Sequence, residues 1–135
     1  MKIKLTIAER FGIRNLLSEV YQKGGLTLET LISAQKIIAD TNIEIEFGKA
    51  DDKGVFKAVK GDEAVAVNLR QVVNANGSSQ LLWDTDKDTE NEYELSDKEA
   101  NLLKEIIKSK SEKKELAISD NFIVKLNEKL NEKNN

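Results

Sequence analysis

The sequence predicts a single α+β domain over residues 1–135, with two N-terminal helices, a small mainly antiparallel sheet and an antiparallel pair of C-terminal helices. Three observations carry that expectation. Helix-start signatures in which a hydroxyl residue precedes a glutamate by three positions stand near both ends, at Thr6–Glu9 and at Ser96–Glu99. Between them, Ile43-Glu44-Ile45-Glu46-Phe47 alternates apolar and charged residues at the period of a strand. Finally, Asn76-Gly77 lies between two apolar runs, where that dipeptide tolerates the positive φ angles of a hairpin turn.

In chain order, Thr6 and Glu9 start a helix at Ile7, with Ala8, Phe11, Leu16, Leu17 and Val20 as an imperfect apolar stripe and Gly24-Gly25 as its end. Gly12 either weakens this helix or admits a close neighbour. Thr27 caps a second helix whose Leu28, Leu31, Ile32, Ala34 and Ile38 recur at three- and four-residue spacing until Asp40-Thr41-Asn42. The turn Asp51-Asp52-Lys53-Gly54 leads to a strand at Val55–Lys60. Residues 63–70 fit two patterns, a strand through Ala64–Val67 or a helix through Val65, Leu69, Val72 and Val73. The Asn-Gly turn pairs residues near 71–75 with Gln80–Trp83, and Glu92–Leu95 is a third strand. Ser96 then opens a helix with Leu102, Leu103, Ile106 and Ile107 inward, and Ser119 caps a last one with Phe122, Ile123, Leu126 and Leu130 inward. Residues 131–135 are expected to fray. The expected core is Phe11, Leu17, Leu31, Ile38, Ile45, Phe47, Leu82, Trp83, Leu103, Ile107, Phe122 and Leu126.

The chain contains no histidine and no cysteine, which removes triads, Cys-His pairs, a histidine switch and zinc sites of the usual ligands. Carboxylates, lysine, arginine, tyrosine and hydroxyls remain for chemistry. No apolar run approaches the ~18 residues of a membrane span, and no signal-peptide stretch is visible, so a cytoplasmic protein is expected. The net charge of −3 is unevenly spread: residues 41–100 carry seven basic and fourteen acidic groups, while the segments on either side are each net +2. A surface that grips phosphate is normally a concentrated basic one, and here the middle of the chain is acidic.

Asp84, Asp86, Asp88 and Glu90 alternate as at the start of a calcium loop, yet Thr89 stands where the loop needs glycine and Leu95 where it needs a bidentate glutamate. A solvated acidic loop is the expectation, with an incidental ion site as the alternative. Glu44, Glu46, Asp51, Asp52 and Lys53 are the residue types of a metal-dependent nuclease, but the two glutamates also read as the wet face of a strand. Two helices joined by Gly24-Gly25 invite a helix-turn-helix, but the second offers only Gln35 and Lys36 near its end, and two amphipathic helices packed on each other are the expectation. A nucleic-acid regulator would instead need Arg10, Arg14, Lys23 and Lys36 to gather on one exposed face, and Trp83 is a candidate interface anchor or core-edge residue.

Leu5-Thr6-Ile7-Ala8-Glu9-Arg10 with Asn15-Leu16-Leu17, the Thr27-Leu28 helix start, Trp83-Asp84, Tyr93-Glu94-Leu95 and the segment 116–130 together resemble a family of small, largely uncharacterised phage and prophage proteins. The resemblance leaves residues 43–70 outside it, and where that family commonly has a Pro-Glu-Gly turn this chain has Gln22-Lys23-Gly24-Gly25. It implies a phage-like setting and supplies no activity. The expected function is therefore a noncatalytic phage or prophage protein acting through protein contacts, without a cofactor or metal. A nucleic-acid-binding regulator is the alternative, and a carboxylate–metal enzyme stands behind it. Apolar stripes on helices 96–113 and 119–130 favour a homodimer, unless the N-terminal helices cover them within one chain.

Overall fold

Lys2-Ile3-Lys4-Leu5 alternates charged and apolar residues, and this short run forms a strand, β1 (Lys2–Leu5), that buries Ile3 and Leu5. The computed structural model describes residues 1–117 and 120–132. The chain is α+β, and its contacts divide it into two compact units, one made of residues 1–42 and 89–135, the other of residues 43–88.

In the first unit, β1 pairs antiparallel with the later strand Asn91–Glu94 in the register Lys2↔Glu94 to Leu5↔Asn91. The Met1 ammonium donates to the Leu95 carbonyl at 2.6 Å and the Leu95 amide returns a bond to the Met1 carbonyl at 2.8 Å, which extends the ladder by one residue. Helix α1 (Ile7–Lys23) begins where expected: Thr6 accepts from the Glu9 amide at 3.2 Å and Glu9 accepts from the Thr6 amide at 3.0 Å. Its buried side includes Ile7, Gly12, Ile13, Leu16 and Leu17, so the stripe is turned away from the expected Ala8 and Phe11, of which Ala8 is exposed and Phe11 half-buried. Gly12 admits a neighbour, because a Cβ at that position would collide with the Phe122 ring.

Helix α2 (Leu28–Thr41) is capped by Thr27, whose hydroxyl accepts from the Thr30 amide at 3.1 Å; Ala34, Ile37 and Thr41 face inward. The second capping box, with both Ser96–Glu99 bonds formed, starts the helix over Asp97–Glu112, which buries Ala100, Leu103, Ile106 and Ile107. The last helix, Phe122–Asn131, buries Ile123, Leu126 and Leu130. The expected cap at Ser119 lies outside the described residues, as do residues 133–135 of the expected frayed tail; Asn131 is the last residue of the helix. One aliphatic core joins these elements to Leu95 and β1.

In the second unit, β2 (Glu46–Phe47) is shorter than the alternation at 43–47 suggested, and its register against the next strand shifts between its two residues. After it come β3 (Val55–Lys60), a short helix α3 (Asp62–Ala66), β4 (Arg70–Val73) and β5 (Ser79–Leu82), in the antiparallel order β2-β3-β4-β5. The segment with two readings follows neither as it stood: residues 64–66 are helical where a strand was expected through Ala64–Val67, and the helix ends before Leu69, with Val72 and Val73 in β4. Gly61 makes the switch at φ 91°, packed so closely under the Glu44 carbonyl that no side chain fits there. At the hairpin, the Asn74 amide donates to the Ser78 carbonyl at 2.7 Å, closing a three-residue loop with Gly77 at φ 84°. In chain order, the strand Asn91–Glu94 is β6, and the helices Asp97–Glu112 and Phe122–Asn131 are α4 and α5.

Of the expected core, Leu17, Leu103, Ile107 and Leu126 are buried, whereas Phe11, Leu31, Ile38, Ile45, Phe47, Leu82, Trp83 and Phe122 are only half-buried. The larger core is built from branched aliphatics that interlock between helices, with aromatic rings at its margin, and no strand residue of the second unit is fully buried.

Candidate functional site

A capping box needs its glutamate at the third helical position, which in α1 fixes Glu9 where the helix is packed against α5. Glu9 is only 4% exposed. Its Oε1 accepts from the Thr6 amide and also from the Lys129 Nζ of α5 at 2.6 Å, while Oε2 is buried without a hydrogen-bond partner among the described residues. The same ammonium donates to Glu90 Oε1 at 3.0 Å. Burial alone would push the Lys129 ammonium down, but its bonds to Glu9 and Glu90 and their charges outweigh that and hold it above the ordinary lysine range. Lys129 thus stands between two carboxylates, bridging them with one ammonium. A cleft of about 470 Å³ opens beside it, lined by Lys2, Lys4, Glu90, Glu92, Lys129 and Glu132 among others.

Arg10, next in sequence, turns into the same unit. Its Nε donates to the Thr41 carbonyl at 2.7 Å and its guanidinium lies 5.1 Å from the centre of the Tyr93 ring, so it ties α1 to the C-terminal end of α2 and to β6. At 4% exposure it is a strut inside the protein and no phosphate contact. The other candidate contacts do not gather with it. Arg14 is exposed, and Lys23, nine residues further along α1, lies about 180° around the helix from it, within 3.6 Å of Glu115. Lys36 on α2 lies 3.6 Å from the buried Glu99 carboxylate. The shared basic face that a nucleic-acid reading needs is not formed by these four residues.

The acidic run is divided among different partners. Asp84 lies 3.6 Å from both Arg70 and Lys87, Asp88 accepts from the Trp83 indole at 3.2 Å, Asp86 is exposed, and Glu90 belongs to Lys129. Asp51 closes its own turn, accepting from the amides of Lys53 and Val55 at 2.9 Å each; the bond from Val55 is the largest reason its carboxyl sits below the ordinary range. Glu46 is exposed and lies 4.0 Å from Lys60 on the neighbouring strand. Among the described residues, no three acidic side chains are grouped so as to hold a metal ion. Trp83 is half-buried, with its indole N–H committed to Asp88 inside the second unit.

The pairing of Glu9 with Lys129 joins residues 120 apart, and nothing local in the sequence marks Lys129 as different from its neighbours. The capping box was the one available signal, since it fixed Glu9 at a helix start. Comparison of the chain with protein-family models, with curated proteins and with solved structures gives no match in any of the three.

Proposed function

We propose that this is a noncatalytic protein that works through protein–protein contacts, in a phage or prophage setting, as a virion, assembly or host-modulating component in the host cytoplasm. The observation that supports it is the way side chains are spent: the most buried charged groups, Glu9, Arg10 and Glu99, face partners in their own unit, while large apolar side chains on α2, Leu28 and Ile32, stand exposed. The setting rests on the resemblance carried by Leu5–Arg10, Trp83-Asp84 and the segments with them. Among the described residues, no helix is long and apolar enough to cross a membrane.

The test is affinity capture with the full chain from phage-infected or native cells, followed by mass spectrometry and by retesting the captured protein in purified form. A purified protein, or a second copy of this chain, that binds in defined stoichiometry and holds through moderate salt supports the proposal. Retention of nucleic acid with a steep salt dependence overturns it in favour of the regulator, and turnover that is lost in Asp51→Asn overturns it in favour of a metal-dependent enzyme.

A further inference from the structure

Helix α2 carries more apolar surface than its own unit takes up. At 100° per residue, the buried Ala34, Ile37 and Thr41 mark its inward side, and the half-buried Leu31 and Ile38 stand beside them. The apolar arc then continues outward to Leu28, Ile32 and Ala39, all exposed, with Leu28 74% and Ile32 56% accessible. Other exposed apolar side chains, such as Val65 and Val124, stand singly on their helices, which is ordinary for a protein surface. The outer side of α2 is different because it repeats: Leu28, Ile32, Gln35 and Ala39 are spaced four, three and four, the spacing of a helix-pairing seam.

We infer that this face pairs with the same face of a second copy, the two α2 helices running antiparallel about a two-fold axis; the inference rests on the reading above that the chain works through protein contacts. The occupant is identified by what flanks the seam. Glu29 follows Leu28 and Lys36 follows Gln35, so two opposite charges sit seven residues apart on one side of it. In an antiparallel pair, Leu28 meets Ala39 of the second copy and Ile32 meets its Gln35, so a large side chain faces a smaller or more yielding one in each layer. Glu29 then comes beside Lys36 of the second copy, once on each side of the axis. Glu29 already pairs with Lys98, and Lys36 with Glu99, so the combined row alternates in sign: Lys98, Glu29, Lys36 of the second copy, Glu99 of the second copy. A parallel pair lacks this match, since the opposite flank of the seam holds Leu31 and Ile38.

The seam is short. Fourteen residues make a helix about 21 Å long, and four seam positions per copy cover less than the ~1,200 Å² of a permanent interface, so the dimer is expected to form and dissociate with concentration. The apolar stripes of α4 and α5, which the sequence offered for pairing copies, are turned into the chain's own core.

Because the chain has no cysteine, engineered thiols report the pairing without background. The double variant Leu28→Cys/Ala39→Cys is placed in a redox buffer at micromolar concentration, after circular dichroism has shown an unchanged fold. Each thiol then lies opposite the other's counterpart, and a covalent dimer is expected. The single variants should form no covalent dimer, because identical positions are offset by eleven residues, about 16 Å along the helices, beyond the ~7 Å that a disulfide spans. Absence of a dimer from the double variant overturns the inference, and equal cross-linking of the single variants overturns the antiparallel arrangement. Glu29→Lys, at an exposed position, should reduce the yield several-fold by facing Lys36 of the second copy with a like charge, and an unchanged yield counts against the charge match. Failure here with a stoichiometric partner still captured from cells leaves the proposed function standing, so the two are separable.

Discussion

Replacing Lys129 by methionine removes an ammonium and keeps the length of the side chain. Glu9 is then left as a carboxylate at 4% exposure, with Oε2 already unpartnered and only the Thr6 amide bonded to Oε1. Breaking a buried pair by removing one partner costs about 3–5 kcal/mol, and because the Lys129 side chain is itself 17% exposed, the expected loss is near the low end, about 3 kcal/mol. Glu90 remains exposed enough to be solvated and contributes little to that figure. The control is Lys98→Met, which breaks an ion pair between two exposed, solvent-screened side chains and should change stability far less than Lys129→Met. Urea denaturation followed by circular dichroism measures both, and adding Glu9→Gln to Lys129→Met should recover part of the loss, as a thermodynamic cycle requires for coupled groups. The pH dependence has a definite sign. The folded Lys129 is held above its ordinary value of 10.5, so its stabilisation is fully present below that pH and disappears as the pH rises through the raised folded value. Lys129→Met should lack that alkaline component. A cost below 0.5 kcal/mol, or one equal to that of Lys98→Met, would refute the reasoning that this pair anchors α5.

Three further substitutions test the packing. Gly12→Ala, which in an open helix interior gains roughly 1 kcal/mol, should instead destabilise by about 1–3 kcal/mol because its methyl meets the Phe122 ring, and Phe122→Leu in the same chain should relieve part of that in thermal melts. Leu103→Ala, at a fully buried position of α4, should cost about 2–5 kcal/mol in chemical denaturation, and a change under half a kilocalorie would place that helix wrongly. Arg10→Lys keeps a charge but loses the Nε donor to Thr41 and the guanidinium over the Tyr93 ring, so a loss of about 1–2 kcal/mol is expected, and an unchanged midpoint would deny the strut.

What was legible in the sequence was what is decided within a few residues. Both capping boxes form because Thr6 and Glu9, like Ser96 and Glu99, are three positions apart, and the hairpin at Asn76-Gly77 needs only a residue that accepts positive φ. What is decided at a distance was not legible. β1 has four residues and draws its identity as a strand from β6, about ninety positions away. The stripe of α1 is rotated from the expected one because Gly12, rather than Phe11, faces α5, a fact fixed by the Phe122 ring. The segment 63–70 was ambiguous because its apolar residues satisfy both periods, and it resolves into the end of a short helix followed by the start of β4 at Arg70. The same limit hid the site. Arg10 counts as a surface charge in any composition, and only the carbonyl of Thr41 and the ring of Tyr93 make it an interior one.

That the outer face of α2 is a contact surface is tested most directly by the mass of the wild-type chain in solution. Light scattering across the micromolar range should show a mass rising from 15.1 kDa toward twice that value, and Leu28→Glu/Ile32→Glu, with its circular dichroism unchanged, should hold at 15.1 kDa throughout. A wild-type mass fixed at 15.1 kDa over the whole range, or a dimer that survives those two charges, would contradict it.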